Sequence, residues 1–437
     1  MTLPEYAAAC LAQLEAAGFS AYAVGGCVRD MAAGLPPQDY DLCTNALPDE
    51  IRSVFRDHKL VLAGEKHGTV GVITEGGVVE ITTYRTEGDY RDHRHPNWVK
   101  FVDDIEGDLA RRDFTVNAMA WSPKRGFADP FGGRQDLQNR ILRAVGNPAA
   151  RFQEDALRIL RGVRFAVRYR LAVDPATMEA MIRLAPLMES LAQERIFEEL
   201  CKLLPAVTPE DLIRFAPILV QVIPELAPTR DFDQRSPHHL YDVFTHTTMV
   251  TGAVPADLTL RWAALLHDIG KVPTFSLDET GRGHFRGHAD VSAQMADTVL
   301  LRLKAPTALR KQVVFLIEKH MLPLEPDKKL LRRRLSRYGE AALRQLLTLQ
   351  QADFGGKGVL GDPPPTAQIE ALLDEILAEK ACLTVKDLAV NGHDLQSMGI
   401  TGRDIGKALD FLLSQVLDEI LPNEKTALLN ALQTQIT

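Results

Sequence analysis

Asp39 and Asp41 stand two residues apart in PPQDYDL. Two carboxylates that close repel each other unless a cation sits with them. On an extended chain, positions i and i+2 point the same way, so the pair presents hard oxygen ligands of the kind Mg²⁺ takes together with substrate phosphates. Such ions activate an attacking hydroxyl and stabilise a departing pyrophosphate. The plainer alternative is a solvated acidic turn. Upstream, Gly25-Gly26 in AYAVGGCVRD closes a short apolar run and opens a helical segment. A turn without Cβ atoms, leading into a helix N-terminus, suits a phosphate, and Arg29 would add a charge-assisted contact. By itself the glycine pair is equally an ordinary strand–turn–helix corner. A third carboxylate, Glu80 in VVEITTYR, shares a strand face with Thr82 and Tyr84, and either joins the metal site or is an exposed strand residue. Together these residues point to metal-dependent nucleotidyl transfer.

Two further constellations carry chemistry. Taken as one helix over Asp155–Arg168, EDALRILRGVRFAVR puts Ala156, Ile159, Leu160, Val163, Ala166 and Val167 on one face. Arg151, Arg158, Arg161, Arg164 and Arg168 fall on the opposite arc, with Phe165 intruding. Such an arc is normally a solvated face, but arginine almost without lysine favours forked recognition of phosphates or base edges. Asp155 and Arg158, three apart on one side, offer an acceptor and donors to a base. Farther on, His246, His267-Asp268 and Asp353 run in the order H…HD…D, with His288 and His320 between. These imidazoles and carboxylates can hold one or two divalent transition metals for phosphoester hydrolysis, and RWAALLHDIGK sets the His-Asp pair at the end of an apolar helix.

The elements that must position these groups change along the chain. Residues 1–145 mix β-branched runs such as GTVGVIT and GVVEITTY with glycine turns, whereas helical periodicity dominates from about residue 150. The expected fold is α+β. A small mixed α/β head (1–145) precedes a helical neck (146–205), a helical body with the histidine-rich module (206–365) and a helical tail (366–437). The run from Phe354 to Pro365, FGGKGVLGDPPP, reads as a linker. A chain of 437 residues, 46% hydrophobic and 25% charged, suits two to four soluble domains. No run approaches the ~18 apolar residues that span a bilayer, so no membrane partner is expected. The N-terminus reads as an amphipathic helix, not a signal peptide. Five scattered cysteines exclude a CxxC zinc knuckle and fit a cytoplasmic protein. A net charge of −8 means that any nucleic-acid binding must rest on a local basic face.

The motifs GGCVRD with DYD, RRDFTVNAMA (Arg111–Ala120), DPFGGRQDL (Asp129–Leu137) and EDALRILRGVR (Glu154–Arg164) come in one order. In these the chain resembles the bacterial class II tRNA nucleotidyltransferases, the CCA-adding enzymes and their poly(A) polymerase relatives. The resemblance is dense over the first 200 or so residues and looser beyond. It implies that Asp39 and Asp41 are catalytic, that Asp155 and Arg158 select CTP and then ATP without a template, and that tRNA is the acceptor. It implies nucleotide contacts by Arg161, Arg164 and Arg112, and support of sugar and loop geometry by Asp113 and Asn117. The stretch Thr83–Pro96 matches a flexible loop that relatives adding only CC lack. HDIGK and GHAD resemble the HD phosphohydrolase superfamily. The tail stretch Asn391–Leu412 resembles the segment that follows this domain in related enzymes and either touches tRNA or is a plain helical corner. The alternatives to CCA addition are a poly(A) polymerase or partial CC- or A-adding enzyme, an HD phosphohydrolase with a regulatory head, and a non-catalytic RNA-binding protein.

Overall fold

The β-branched runs of the first 145 residues pair as their composition predicts. The computed structural model describes residues 1–88, 99–237, 239–358 and 362–436. The expected loop over Thr83–Pro96 therefore lies outside the described residues from residue 89 onward, as do His238 and positions 359–361 of the expected linker. Two compact units make up the chain, Met1–Pro224 and Glu225–Thr437. Its fold is α+β, a mixed head followed by helices. No helix among the described residues is long and apolar enough to cross a membrane.

In the first unit the strands are β1 (Ala21–Val24), β2 (Asp41–Thr44), β3 (Lys59–Val61), β4 (Thr69–Thr74), β5 (Gly77–Thr83), β6 (Arg85–Glu87), β7 (Val99–Phe101), β8 (Ala120–Ser122) and β9 (Gly126–Ala128), with a short parallel pair, β10 (Ile141–Leu142) and β11 (Ala172–Val173). Among the described residues one sheet runs β3-β4-β5-β2-β1-β8-β9, and β6 pairs with β7. The β2–β5 pairing is parallel and sets Asp41 opposite Glu80. The alternation along β2 decides which way the chemistry faces. Leu42 packs with Ile51, Phe55 and Ile81 on one side, against helices α1 (Glu5–Ala16) and α3 (Pro48–Val54), whose apolar stripes cover that face. Cys43 joins Tyr84, Leu109 and Val145 on the other. Asp41, two residues before Cys43, points to this second face. Each large apolar side chain so buried contributes about 1.5–3 kcal/mol.

The remaining helices of this unit are α2 (Gly26–Ala32), α4 (Ile105–Ala110), α5 (Gly133–Gln138), α6 (Pro148–Glu154), α7 (Leu157–Arg168), α8 (Pro175–Leu184), α9 (Gln193–Leu203), α10 (Pro209–Arg214) and α11 (Ala216–Val222). The single helix expected over Asp155–Arg168 is interrupted. Asp155 is extended (φ −142°, ψ 103°), and its Oδ1 accepts the Leu157 N–H at 3.0 Å. An aspartate side chain competes for nearby backbone N–H groups, which favours a helix end over a helix interior. Gly162 lets α7 pack closely, because a Cβ there would lie 2.9 Å from Phe114 and 3.0 Å from Met181.

The second unit is helical apart from a short hairpin, among the described residues. Its histidine-rich part comprises α12 (Val243–Ala253), α13 (Leu258–Leu266), α14 (Lys271–Thr274), α15 (His288–Arg302), α16 (Thr307–Lys319), α17 (Lys328–Tyr338) and α18 (Glu340–Gly356). The expected linker begins later than its glycines suggest, because α18 continues through Gly355-Gly356. There the Gly356 carbonyl accepts from His246 Nδ1 at 3.0 Å, and tertiary contact outweighs the poor helix propensity of glycine.

Candidate active site

Asp41 opens β2 and Asp39 precedes it on the connection from α2; both line a cavity of about 650 Å³ in the first unit. Burial, then the neighbouring charges of Asp39 and Glu80, push the Asp41 carboxyl up to about 6, against the lowering influence of Arg112. Negative charge is therefore in local excess at this corner, which is the condition a divalent cation relieves. Glu80 is exposed on the same sheet face, across from Asp41, and does not line the cavity. Of the two glycines only Gly25 is under steric demand. Its φ is +69°, and a Cβ would lie 2.7 Å from Arg112 Nη1, whereas a Cβ on Gly26 would meet an ordinary contact at 3.6 Å. Because α2 has only seven residues, the positive potential here comes chiefly from guanidinium groups.

Most of those groups are not a solvated arc, although Arg168 is exposed. Arg158 and Arg164 are buried, and each is tied to a carboxylate. Arg161 donates to Asp113 Oδ2 from Nε at 2.9 Å and Nη2 at 2.8 Å, and the Asn117 amide donates to Oδ1 at 3.0 Å. Burial pushes the Asp113 carboxyl up, but Arg161 and Asn117 outweigh it and hold the group at about 2. Arg29 donates to Asn117 Oδ1 at 2.6 Å, to Asp30 at 2.9 Å and to the Tyr169 hydroxyl. It also lies 4.3 Å from the Tyr169 ring centroid, so it acts first as a strut under the cavity wall. Arg112 reaches Asp108 at 3.3 Å. Asp155 and Arg158 do not share a helix, yet both line the cavity. Arg158 donates to Glu154 at 2.6 Å and to the Arg111 carbonyl at 3.0 Å, while Asp155 accepts from Arg195 of α9 at 2.8 and 3.4 Å.

The second unit holds a different cluster. Ligand atoms of His246, His267, Asp268 and Asp353 lie within 4.8 Å of one another, as do those of Asp268, His288 and His320. Each of the four imidazoles turns Nδ1 to a backbone carbonyl: His246 to Gly356 at 3.0 Å, His267 to Ala264 at 2.7 Å, His288 to Phe285 at 2.8 Å and His320 to Ile317 at 2.6 Å. A carbonyl only accepts, so each Nδ1 carries a proton, and a ring without a second proton offers its Nε2 to the centre. Burial pushes the His267 pKa down, but Asp268 and Asp353 beside it outweigh this and raise it to about 10, a proton that a metal ion would displace. Those Nε2 atoms face each other in pairs, 3.3 Å apart for His246–His267 and 3.2 Å for His288–His320. Asp268 spans both, with Oδ2 3.1 Å from His267 and Oδ1 3.4 Å from His288. Facing lone pairs beside a shared carboxylate fit metal ions, with the carbonyl contacts fixing the rings.

A family model for the "Poly A polymerase head domain" matches residues 21–143. An "HD domain" model matches 238–353, and one described as "Probable RNA and SrmB- binding site of polymerase A" matches 170–228. The chain is 34% identical to the CCA-adding enzyme of Streptococcus mutans over 431 residues, covering 98% of this chain and 96% of that one. It is 35% identical to the CCA-adding enzyme of Latilactobacillus sakei over 436 residues, covering 98% of each. The chain belongs to the CCA-adding enzyme family. Among solved structures, it resembles the Bacillus stearothermophilus CCA-adding enzyme in complex with CTP, with a TM-score of 0.75, 28% identity, and coverage of 100% of this chain and 99% of that one.

Head and HD domains of the CCA-adding family imply a dependence on divalent metal, and the two ligand groups of the second unit fit such ions. The CCA-adding architecture also brings to the head cavity residues that local reading missed. Arg195, Glu199 and Lys202 make one stripe of α9 at spacings of four and three. Arg195 and Lys202 line the cavity, and buried Glu199 accepts from Arg164 at 2.6 Å. An acid on the apolar face of QERIFEELCKL was the available signal. Arg111 lines the cavity as well.

Proposed function

We propose that this chain adds C, C and A to the 3′ end of tRNA from CTP and ATP without a template, in the cavity that Asp39 and Asp41 border. The carrying observation is a single arginine-lined cavity bordered by the two aspartates, Asp155 and Arg158. The RNA 3′ hydroxyl loses its proton and attacks the α-phosphorus, and the bond to the departing pyrophosphate breaks. Asp39 and Asp41, with Glu80 as neighbour, would hold Mg²⁺, which would supply hydroxyl activation and charge neutralisation on the leaving group. Arg112, Arg161 and Arg164 balance triphosphate charge, and Gly25 and Gly26 let it approach. Asp155 accepts from the exocyclic amine of cytosine or adenine, and Arg158 donates to a ring acceptor. Arg29, Asp113 and Asn117 hold this wall in shape. Residues 1–145 serve as the catalytic head, 146–205 as the nucleotide-selecting and RNA-binding neck, 206–365 as the HD body and 366–437 as a tRNA-contacting tail. Five free cysteines accord with a cytoplasmic site of action. Asp41→Asn is expected to lower incorporation at least about 10³-fold, on the scale of a lost transition-state stabiliser, with tRNA affinity unchanged. Near-normal incorporation by this variant would remove Asp41 from the mechanism.

The facing Nε2 pairs favour a second activity. His246, His267, Asp268 and Asp353 would hold one divalent transition metal, and Asp268 with His288 and His320 would hold another, which would supply Lewis-acid chemistry for phosphoester hydrolysis. The adjoining cavity of about 230 Å³ is lined by Lys271, Arg282 and Lys357, cations suited to a phosphate.

A further inference from the structure

At the C-terminal ends of α2, α5 and α7 lies a second cavity of the first unit, about 460 Å³ in volume. Four arginines line it, Arg134, Arg140, Arg168 and Arg170, and no carboxylate does. Only Arg170 has an ion-pair partner among the described residues, Asp211 at 2.9 Å. Arg134 is laid over the Phe127 ring at 4.7 Å, which fixes its direction without neutralising it. Half-buried Tyr169 contributes to the wall. Guanidinium groups without an ion-pair partner, as Arg134, Arg140 and Arg168 are among the described residues, supply the charge with which proteins track the backbone of single-stranded nucleic acid. A concave space of this size accepts a nucleotide and not a duplex.

Position supplies the second argument. Arg168 lines both this cavity and the one that Asp39 and Asp41 border, and the Tyr169 hydroxyl donates to Asp30 of that first cavity at 2.9 Å. A transferase that works without a template must hold two nucleotide-bearing substrates at once, and the first cavity has room and charge for the triphosphate. Resting on the function proposed above, we infer that the second cavity holds a nucleotide of the single-stranded 3′ end of the RNA, with Arg134, Arg140 and Arg168 on its phosphates. The matched RNA-binding model begins only at residue 170 and leaves these three arginines outside.

The test uses the full chain carrying Arg134→Gln and Arg140→Gln together; both residues are exposed and neither belongs to the triphosphate cavity. Binding is measured across a salt series to a tRNA ending in CC and to the same tRNA trimmed of every unpaired 3′ nucleotide. The expected result is weaker binding of the CC-ending tRNA only. The slope of log affinity against log salt should shrink by about 1.4, roughly 0.7 for each lost single-strand contact. CTP binding without RNA is unchanged, and the charge-keeping double variant, Arg134→Lys with Arg140→Lys, retains the wild-type slope. Unchanged affinity and slope for the CC-ending tRNA overturn the inference, and so does equal weakening for both RNAs, which would mark a duplex contact. A wild-type chain that adds nothing to the CC-ending tRNA would instead refute the parent function.

Discussion

At Asp41 a partly buried carboxylate sits beside two others, an arrangement that is costly without a cation. Asp113 is the opposite case, a buried carboxylate over-supplied with donors. Held near 2 instead of its ordinary 3.8, it stabilises the fold by about 2 kcal/mol. Because the folded pKa is depressed, this contribution is complete above about pH 4 and is lost as the pH falls through 2. Asp113→Asn should therefore lower the unfolding midpoint at pH 7, and its deficit relative to wild type should shrink between pH 4 and pH 2 in a pH series of thermal melts. A deficit that stays constant across that window would contradict the assignment. Asp39, Asp41 and the glycine pair could be read from residue type and spacing. The over-supply at Asp113 could not, because Arg161 approaches from 48 positions along the chain.

On the scale of elements, the interruption between α6 and α7 matters most. Periodicity alone joined Asp155 to the following helix, since the apolar stripe of α7 carries no mark of the break. The break turns Asp155 toward α9, where Arg195 grips it with two nitrogens. Asp155 is thereby aimed as an acceptor. Arg195→Gln is expected to leave overall folding intact while lowering the preference for CTP and ATP over UTP and GTP at least about tenfold, the worth of one charged hydrogen bond. Single-nucleotide misincorporation assays measure that ratio directly, and unchanged discrimination would count against Arg195 as a positioning residue. Strands β4 and β5 of the head were legible from the β-branched runs GTVGVIT and GVVEITTY, whereas the short strands β6 to β9 have no such run to mark them. Why Arg161 and Arg164 of α7 are held by carboxylates was not, because their partners Asp113 and Glu199 come from other elements. Likewise, Gly355-Gly356 looked like a linker until the contact to His246 was in view.

As a whole molecule, the chain carries a carboxylate corner in one compact unit and imidazoles clustered around Asp268 in the other, and the two sets of groups differ in kind. That difference predicts separable chemistry. His267→Ala or His320→Ala should abolish metal-stimulated hydrolysis of a small phosphoester such as p-nitrophenyl phosphate and leave nucleotide addition unaltered; loss of addition in both variants would contradict separate centres. Order and extent of addition test the whole account most directly. Purified protein is incubated with Mg²⁺ and a tRNA ending just before CCA, with CTP alone, ATP alone and both together, and the products are resolved at single-nucleotide length. The account predicts two additions with CTP alone, three with both nucleotides ending in A, and then arrest. A long A tract, or no metal-dependent extension under any of the three conditions, would contradict it.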